Sequence, residues 1–206
     1  MPYLGNQHIV GDSVRNFKVL DDISSHTATF DGSSASVVST SDNTIRIINH
    51  RFVQGQRVVY SNGGGGNING LTANAYYIIK DSPHTFKLAA NESDAASLTP
   101  INLTSVGTGS SHTLRVSFDG VNKKFKATHS SGNKTHIHHA TQLSVSINNV
   151  PQRPNDNLTF TEGFAVENKS IIVFKQAPIP TDIFFGSAFG ETLGTFDISD
   201  LAIDNY

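Results

Sequence analysis

Between Leu143 and Gly190 the chain repeats a short pattern that leaves few folds open to it. Leu143-Ser-Val-Ser-Ile147 alternates apolar and polar residues with period two, so an extended strand here has one apolar and one polar face. A turn must follow. Asn148-Asn149 and Pro151 supply it, because Asn tolerates positive φ and Pro has no N–H to give a sheet ladder. The pattern returns at residues 158–160, 170–174 and 182–185, separated by Pro-, Asn- and Gly-containing segments such as 176–180. Four strands of this length predict a small antiparallel unit.

Composition extends the β reading to the whole chain. Ser, Thr, Asn, Gly, Val and Ile are abundant, Met occurs once, and helix formers never keep a 3.6-residue spacing beyond about two turns. An all-β chain of 206 residues is expected, with a core large enough to need no covalent staple. It contains no cysteine, so neither a disulfide framework nor a thiolate-bound metal is expected. The net charge of −2, spread along the chain, argues against a nucleic-acid surface, which needs a basic face to neutralise phosphates. No apolar run approaches the roughly 20 residues that span a bilayer, and the first residues lack the basic-then-apolar pattern of a signal peptide. The expectation is a protein folded in the cytosol that made it, without a membrane partner.

Residues 142–155, with the sequence Gln-Leu-Ser-Val-Ser-Ile-Asn-Asn-Val-Pro-Gln-Arg-Pro-Asn, are followed by Ile171-Ile-Val-Phe-Lys-Gln-Ala-Pro178 and Thr181-Asp-Ile-Phe-Phe-Gly186. This last third of the chain resembles a small β-module that recurs in tail-fibre and other virion proteins of tailed bacteriophages. It departs from the module's usual pattern at Asn149, where Gly is usual, and in a longer stretch at 162–168. The stretch from His50-Arg-Phe-Val-Gln-Gly-Gln-Arg-Val-Val-Tyr60 through the glycines 63–66 to Tyr76-Tyr-Ile-Ile-Lys80 and Thr85-Phe-Lys-Leu-Ala89 resembles a second compact β-module. That module is found in phage structural proteins and bacterial surface adhesins, and the likeness covers about residues 36–117. Both resemblances imply architecture and name no active site.

The expected layout is therefore two small antiparallel β-sandwich or barrel-like modules with extended N- and C-terminal arms. Residues 1–25 form the N-terminal arm, read either as ordered only against a partner or as a frayed terminus. Residues 26–117 form the first module, with a flexible Gly-rich loop at 61–70, and 118–194 the second. A tail at 195–206 spaces Phe196, Ile198, Leu201 and Ile203 as anchors, either of a docking peptide or of a final edge strand. Phe30-Asp-Gly32 recurs at Phe118-Asp-Gly120 and frames the middle of the chain. Asn91 to Ser97 is the one candidate helical turn.

Few residue groups point to chemistry. The tetraglycine at 63–66 lacks the Gly-Lys-Ser/Thr ending and following helix of a phosphate loop. Thr135-His-Ile-His-His-Ala140, with His129 nearby, would place His136 and His138 on one face of a strand. Two imidazoles make no complete site, so these histidines are read first as polar surface or interface groups, with the alternative that in a three-fold symmetric fibre six of them surround one metal. Asp31, Asp42, Asp81, Asp119 and Asp156 sit where turns need carboxylates, and no nucleophile elbow, metalloprotease helix or triad signature occurs. The sequence predicts no catalytic, cofactor-binding or metal residues and no enzyme.

The reading is a structural component of a tailed-phage virion, of tail-fibre or fibre-adaptor type. It would attach virion parts to one another or to the host, with other virion proteins as partners and a homo-oligomer, a trimer first, as its state. Two alternatives stand beside it. One is a capsid decoration protein. The other is a carbohydrate-binding adhesin module that stacks a host surface glycan on Tyr60, Tyr76 and Tyr77.

Overall fold

In a computed structural model, residues 18–130 and 132–189 are described, and the chain is all-β apart from two short helical turns. In chain order the strands are β1 (Lys18–Val19), β2 (Ser25–Phe30), β3 (Val38–Ser39), β4 (Thr44–Arg46), β5 (Arg57–Ser61), β6 (Ala75–Lys80) and β7 (Thr85–Ala89). After the helix α1 (Glu92–Ala96) come β8 (His112–Ser117), β9 (Lys124–Lys126), β10 (Thr128–His129), β11 (Asn133–Lys134) and β12 (Leu143–Ile147). The last five are β13 (Val150–Pro151), β14 (Pro154–Asn155), β15 (Phe164–Glu167), β16 (Ile171–Phe174) and β17 (Phe184–Ala188).

Strands β2 to β8 form one antiparallel sheet in the order β2-β8-β5-β6-β7-β4-β3. The later strands divide into β1-β17-β12-β13, β14-β15-β16-β9 and the ribbon β10-β11. All pairings are antiparallel except β14 with β15. Alternation places Val58 and Tyr60 of β5, and Leu114 and Val116 of β8, on the buried side, with Arg57, Val59 and Arg115 turned the other way.

The repeated Phe-Asp-Gly has a clear structural meaning. Strand β2 pairs with β8 over six residues, Ser25 opposite Ser117 and Phe30 opposite His112. One copy therefore ends β2 and the other follows β8, at opposite ends of a single ribbon. Each buries its phenylalanine, and each aspartate takes up turn N–H groups. Asp31 accepts from Ser33 N at 2.9 Å, and Asp119 from Val121 N and Asn122 N at 2.9 and 2.7 Å.

A buried chain of hydrogen bonds crosses the first sheet. Ile68 N–H donates to the Tyr60 hydroxyl at 3.2 Å, which donates to His112 Nδ1 at 2.8 Å, while His112 Nε2–H donates to Thr108 C=O at 3.0 Å. The neighbouring tetraglycine, expected to be a flexible loop, is instead tied down. Gly66 and Thr108 exchange both main-chain hydrogen bonds, at 3.1 and 3.0 Å. A Cβ on Gly65 would collide with the Thr108 carbonyl oxygen, so glycine is needed there for close backbone approach.

The N-terminal arm also needs revision within its described part. Lys18 and Val19 pair with β17, Leu20 N–H donates to Gly186 C=O at 2.9 Å, and Leu20 and Ile23 are buried in the core. Residues 18–25 thus pack on the protein's own second half, because two apolar side chains and a strand pairing suffice to order them. Residues 1–17 and the tail at 195–206 lie outside the described residues.

Three strand positions differ from the sequence expectation. Residues 158–160 form no strand and Leu158 is 54 % exposed; β15 begins instead at Phe164. The last strand begins at Phe184 because Ile183 N–H donates to the Asn148 side chain at 2.9 Å and not to a ladder carbonyl. Residues 135–139 form no strand either. The hairpin turn at Asn148 and Asn149 is as expected, both residues having positive φ, 53° and 64°.

The core does not stop between the two halves. Phe118 lies edge-on to Phe125 with ring centroids 4.8 Å apart, and Phe125 and Phe174 are 6.1 Å apart, within one buried cluster running from Leu20 to Ala188. We expect Phe125→Ala to cost about 3–5 kcal/mol. Amide NMR signals of the first sheet and of the second half can be followed separately through a urea titration. Coincident urea transitions are expected, and a two-step curve would show that the halves unfold separately.

Candidate functional site

A polar cleft of about 260 Å³ lies between the first sheet and the tip of the β15–β16 hairpin. Segments far apart in sequence wall it: Val53 and Gln54; Lys80; Lys126; Thr135 and His136; and residues 167–171. Each wall is fixed by hydrogen bonds. The Gln54 amide donates to Ala95 C=O and accepts from Lys80 N–H, both at 2.8 Å. Ile137 N–H donates to Lys169 C=O at 2.7 Å, and Ala127 N–H to Ser170 C=O at 2.8 Å.

The turn that closes the hairpin is made by Asn168 and Lys169, both with positive φ, 49° and 57°. Two such residues define the tight turn whose twist matches a hairpin, and the second position normally takes glycine. Here a lysine occupies it and projects from the turn at the cleft.

The charge around the cleft is mainly positive. Lys80, Lys126 and Lys169 line it, against one carboxylate, Glu167. Lys124 Nζ lies 2.8 Å from Glu167 Oε2, an ion pair without the alignment of a hydrogen bond. Neither Lys80 nor Lys169 has an ion-pair partner among the described residues. Thr135 is 1 % exposed, and its hydroxyl has no hydrogen-bond partner among the described residues. A buried hydroxyl without a partner costs about 1–3 kcal/mol, so it is a rare feature that asks for a reason.

The residues singled out from sequence are dispersed. His136 borders the cleft, whereas His138 and His139 are exposed and their N–H groups both donate to Gln142 Oε1, at 2.7 and 3.0 Å. The side chain this segment buries is Ile137. Among the described residues, no three His, Asp or Glu groups come together as metal ligands would. Tyr60 and Tyr76 are 1 % and 7 % exposed, so the sugar-stacking platform expected of them is not available: both rings belong to the core. Tyr77 packs beside Ile79, Ala89 and Ala95 under α1.

Two further histidines carry perturbed protonation. His50 stacks on Phe52 and meets Phe86 edge-on, at 5.6 and 5.0 Å between centroids. Its Nε2 contacts two carbonyl oxygens, Ser82 at 3.0 Å and Thr85 at 3.3 Å, so Nε2 holds the proton and the buried Nδ1 has no partner. Burial pushes His50 down to about 4, against the opposing pull of those carbonyls. Burial, helped by nearby Arg51, also lowers His26.

Comparisons of the chain with family models, curated proteins and solved structures find no match. The residues themselves carry the functional argument.

The histidines set a pH dependence. Unfolded His50 takes a proton below its ordinary value of 6.5, while folded His50 stays neutral until about 4. The unfolded state therefore binds more protons in that window, and acid favours it. Stability should be full above pH 6.5 and fall by roughly 3 kcal/mol on the way to pH 4. Urea titrations at half-unit pH steps should show this slope, and His50→Gln should flatten it in part, His26 retaining the remainder.

Proposed function

We propose that the chain is a non-enzymatic structural component of a tailed-phage virion, of tail-fibre or fibre-adaptor type, that works by assembling with copies of itself and with neighbouring virion proteins. The observation that supports this reading is the surface of the β1-β17-β12-β13 sheet. Val19 and Phe185, on one face of this sheet, and Ile183 just before β17 are 51 %, 53 % and 72 % exposed. Large apolar side chains gathered on one element mark a surface that is covered by something in use.

The sheet edges suit the same task. Strand β2 is the outer strand of the seven-stranded sheet, with only β8 beside it, and its exposed Ser25, Thr27 and Thr29 carry no charge that would repel a pairing strand. Short outer strands such as β3 and β13, two residues each, offer less to a partner. A trimer is the state we propose, arranged so that the apolar sheet surface is buried between copies.

Sedimentation equilibrium of the full chain at tens of micromolar tests this. A trimer is expected, and Ile183→Asp with Phe185→Asp should return it to monomer without lowering Tm, since both side chains are exposed in the single chain. A wild-type monomer throughout that range would count against self-assembly, and cryo-electron microscopy of the particle would then have to show the chain docked singly.

A further inference from the structure

We propose that the free edge of β2 pairs antiparallel with β2 of a second copy of this chain, about a two-fold axis through Thr27. The inference rests on the assembly reading and deepens it, naming a second contact between copies that lies on a different sheet from β17.

Its first basis is where the main chain points. Phe118 N–H donates to Ser24 C=O at 2.8 Å, in register with the ladder that sets Ser25 opposite Ser117. Hydrogen-bonded pairs alternate along an antiparallel ladder, so His26, Ala28 and Phe30 bond to β8, while the N–H and C=O groups of Ser25, Thr27 and Thr29 point away from it. Those outward groups have no hydrogen-bond partner among the described residues. Donors and acceptors at alternate positions are the pattern that another extended backbone completes.

The second basis is that this edge is unguarded where the others are not. Every other outer strand has two residues, except β9, which has three and carries Lys124 and Lys126. Short strands and lysines discourage edge pairing, and Gln56 also covers β9 by donating to Lys124 C=O at 2.8 Å. Strand β2 runs six residues, Ser-His-Thr-Ala-Thr-Phe, without a carboxylate, lysine, arginine, proline or glycine.

The third is self-complementarity, which selects a second copy as the occupant. An axis at Thr27 sets Thr27 opposite Thr27 of the second copy and Ser25 opposite its Thr29, and each such pair exchanges both main-chain hydrogen bonds. Any other register leaves at least one of the three outward residues unpaired. The exposed side chains that meet are serine and threonine throughout, whose cross-strand pairs are favourable, and no charge opposes itself across the axis. On the other face His26 comes opposite Ala28, so bulky rings do not collide. A single ladder of this length covers little area, so the contact is weak alone and fills where copies are already held close together.

The full chain carrying Ile183→Asp and Phe185→Asp isolates this contact, because the β17 surface is disabled in it. Sedimentation equilibrium and amide chemical shifts from about 0.05 to 2 mM are expected to show a monomer–dimer equilibrium with Kd of about a millimolar, the shifts being largest at residues 25–29. Added to that protein, Thr27→Pro removes an outward N–H and no β8 hydrogen bond, and should weaken the dimer at least about tenfold with the fold kept. Thr27→Lys and Thr27→Glu should each weaken it, and an equimolar mixture of the two should associate at least about fivefold more tightly than either alone, since the axis sets the two residues opposite each other. Absence of a dimer at the highest concentration overturns the proposal. So do shifts centred on another surface, or a mixture no tighter than either variant alone. A wild-type trimer would survive that failure, whereas a wild-type monomer at tens of micromolar with a β2 dimer at millimolar concentration would remove the three-fold contact and leave this one.

Discussion

Phe118, Phe125 and Phe174 stack edge to face at the point where the chain leaves its first sheet and enters its second half, and the rest of the structure hangs on that contact. Phe118 follows β8, Phe125 is the middle of β9, and Phe174 ends β16, so the three rings join three strands from two sheets. Around them, polar groups bridge the same seam. Gln56 donates to Lys124 C=O at 2.8 Å, Asn122 donates to Arg57 C=O at 3.2 Å, and Arg57 pairs with Asp119. A seam with a dry aromatic centre and satisfied polar neighbours resists sliding, since any shift would open a void and break hydrogen bonds together.

That rigidity is what allows a cleft to exist between the halves. Lys80 belongs to the first sheet and Lys169 to the second half, so their relative position is set by the seam and by the Gln54 and Ile137 hydrogen bonds. The first sheet contributes its own stiffness through the Ile68, Tyr60, His112 and Thr108 chain, in which the Tyr60 hydroxyl and both His112 nitrogens are hydrogen-bonded.

Much of the fold could be read from period and punctuation. β2, β6, β7, β8 and β12 alternate or bury consecutive apolar residues between recognisable turns, and Asn91 caps α1 by accepting from Asp94 N–H. The errors have physical causes. Leu158 and Phe160 look like strand residues but flank a turn whose backbone is not paired, while β15 reads Phe-Ala-Val-Glu, with Phe164 and Ala165 both buried and no alternation to betray it. The described part of the arm was misjudged because a two-residue strand gives no periodicity; only Leu20 and Ile23 hint at burial. The cleft was legible least of all. Lys80, Thr135 and Lys169 lie 34 residues or more apart, and a hydroxyl's want of a partner is a property of packing. The one local signal was an Asn-Lys pair where a hairpin turn would favour Asn-Gly.

The same contrast orders the two surfaces by what they demand of the chain. An apolar sheet face needs only exposed Val, Ile and Phe on a stable strand, and its association strengthens with the area covered. The cleft wall is built at some local cost: Lys169 sits at positive φ, where the hairpin would close more easily on glycine, and Thr135 Oγ1 and Glu167 Oε2 have no hydrogen-bond partner among the described residues. The apolar sheet face carries no such cost, since exposed side chains on a paired strand leave every ladder hydrogen bond in place.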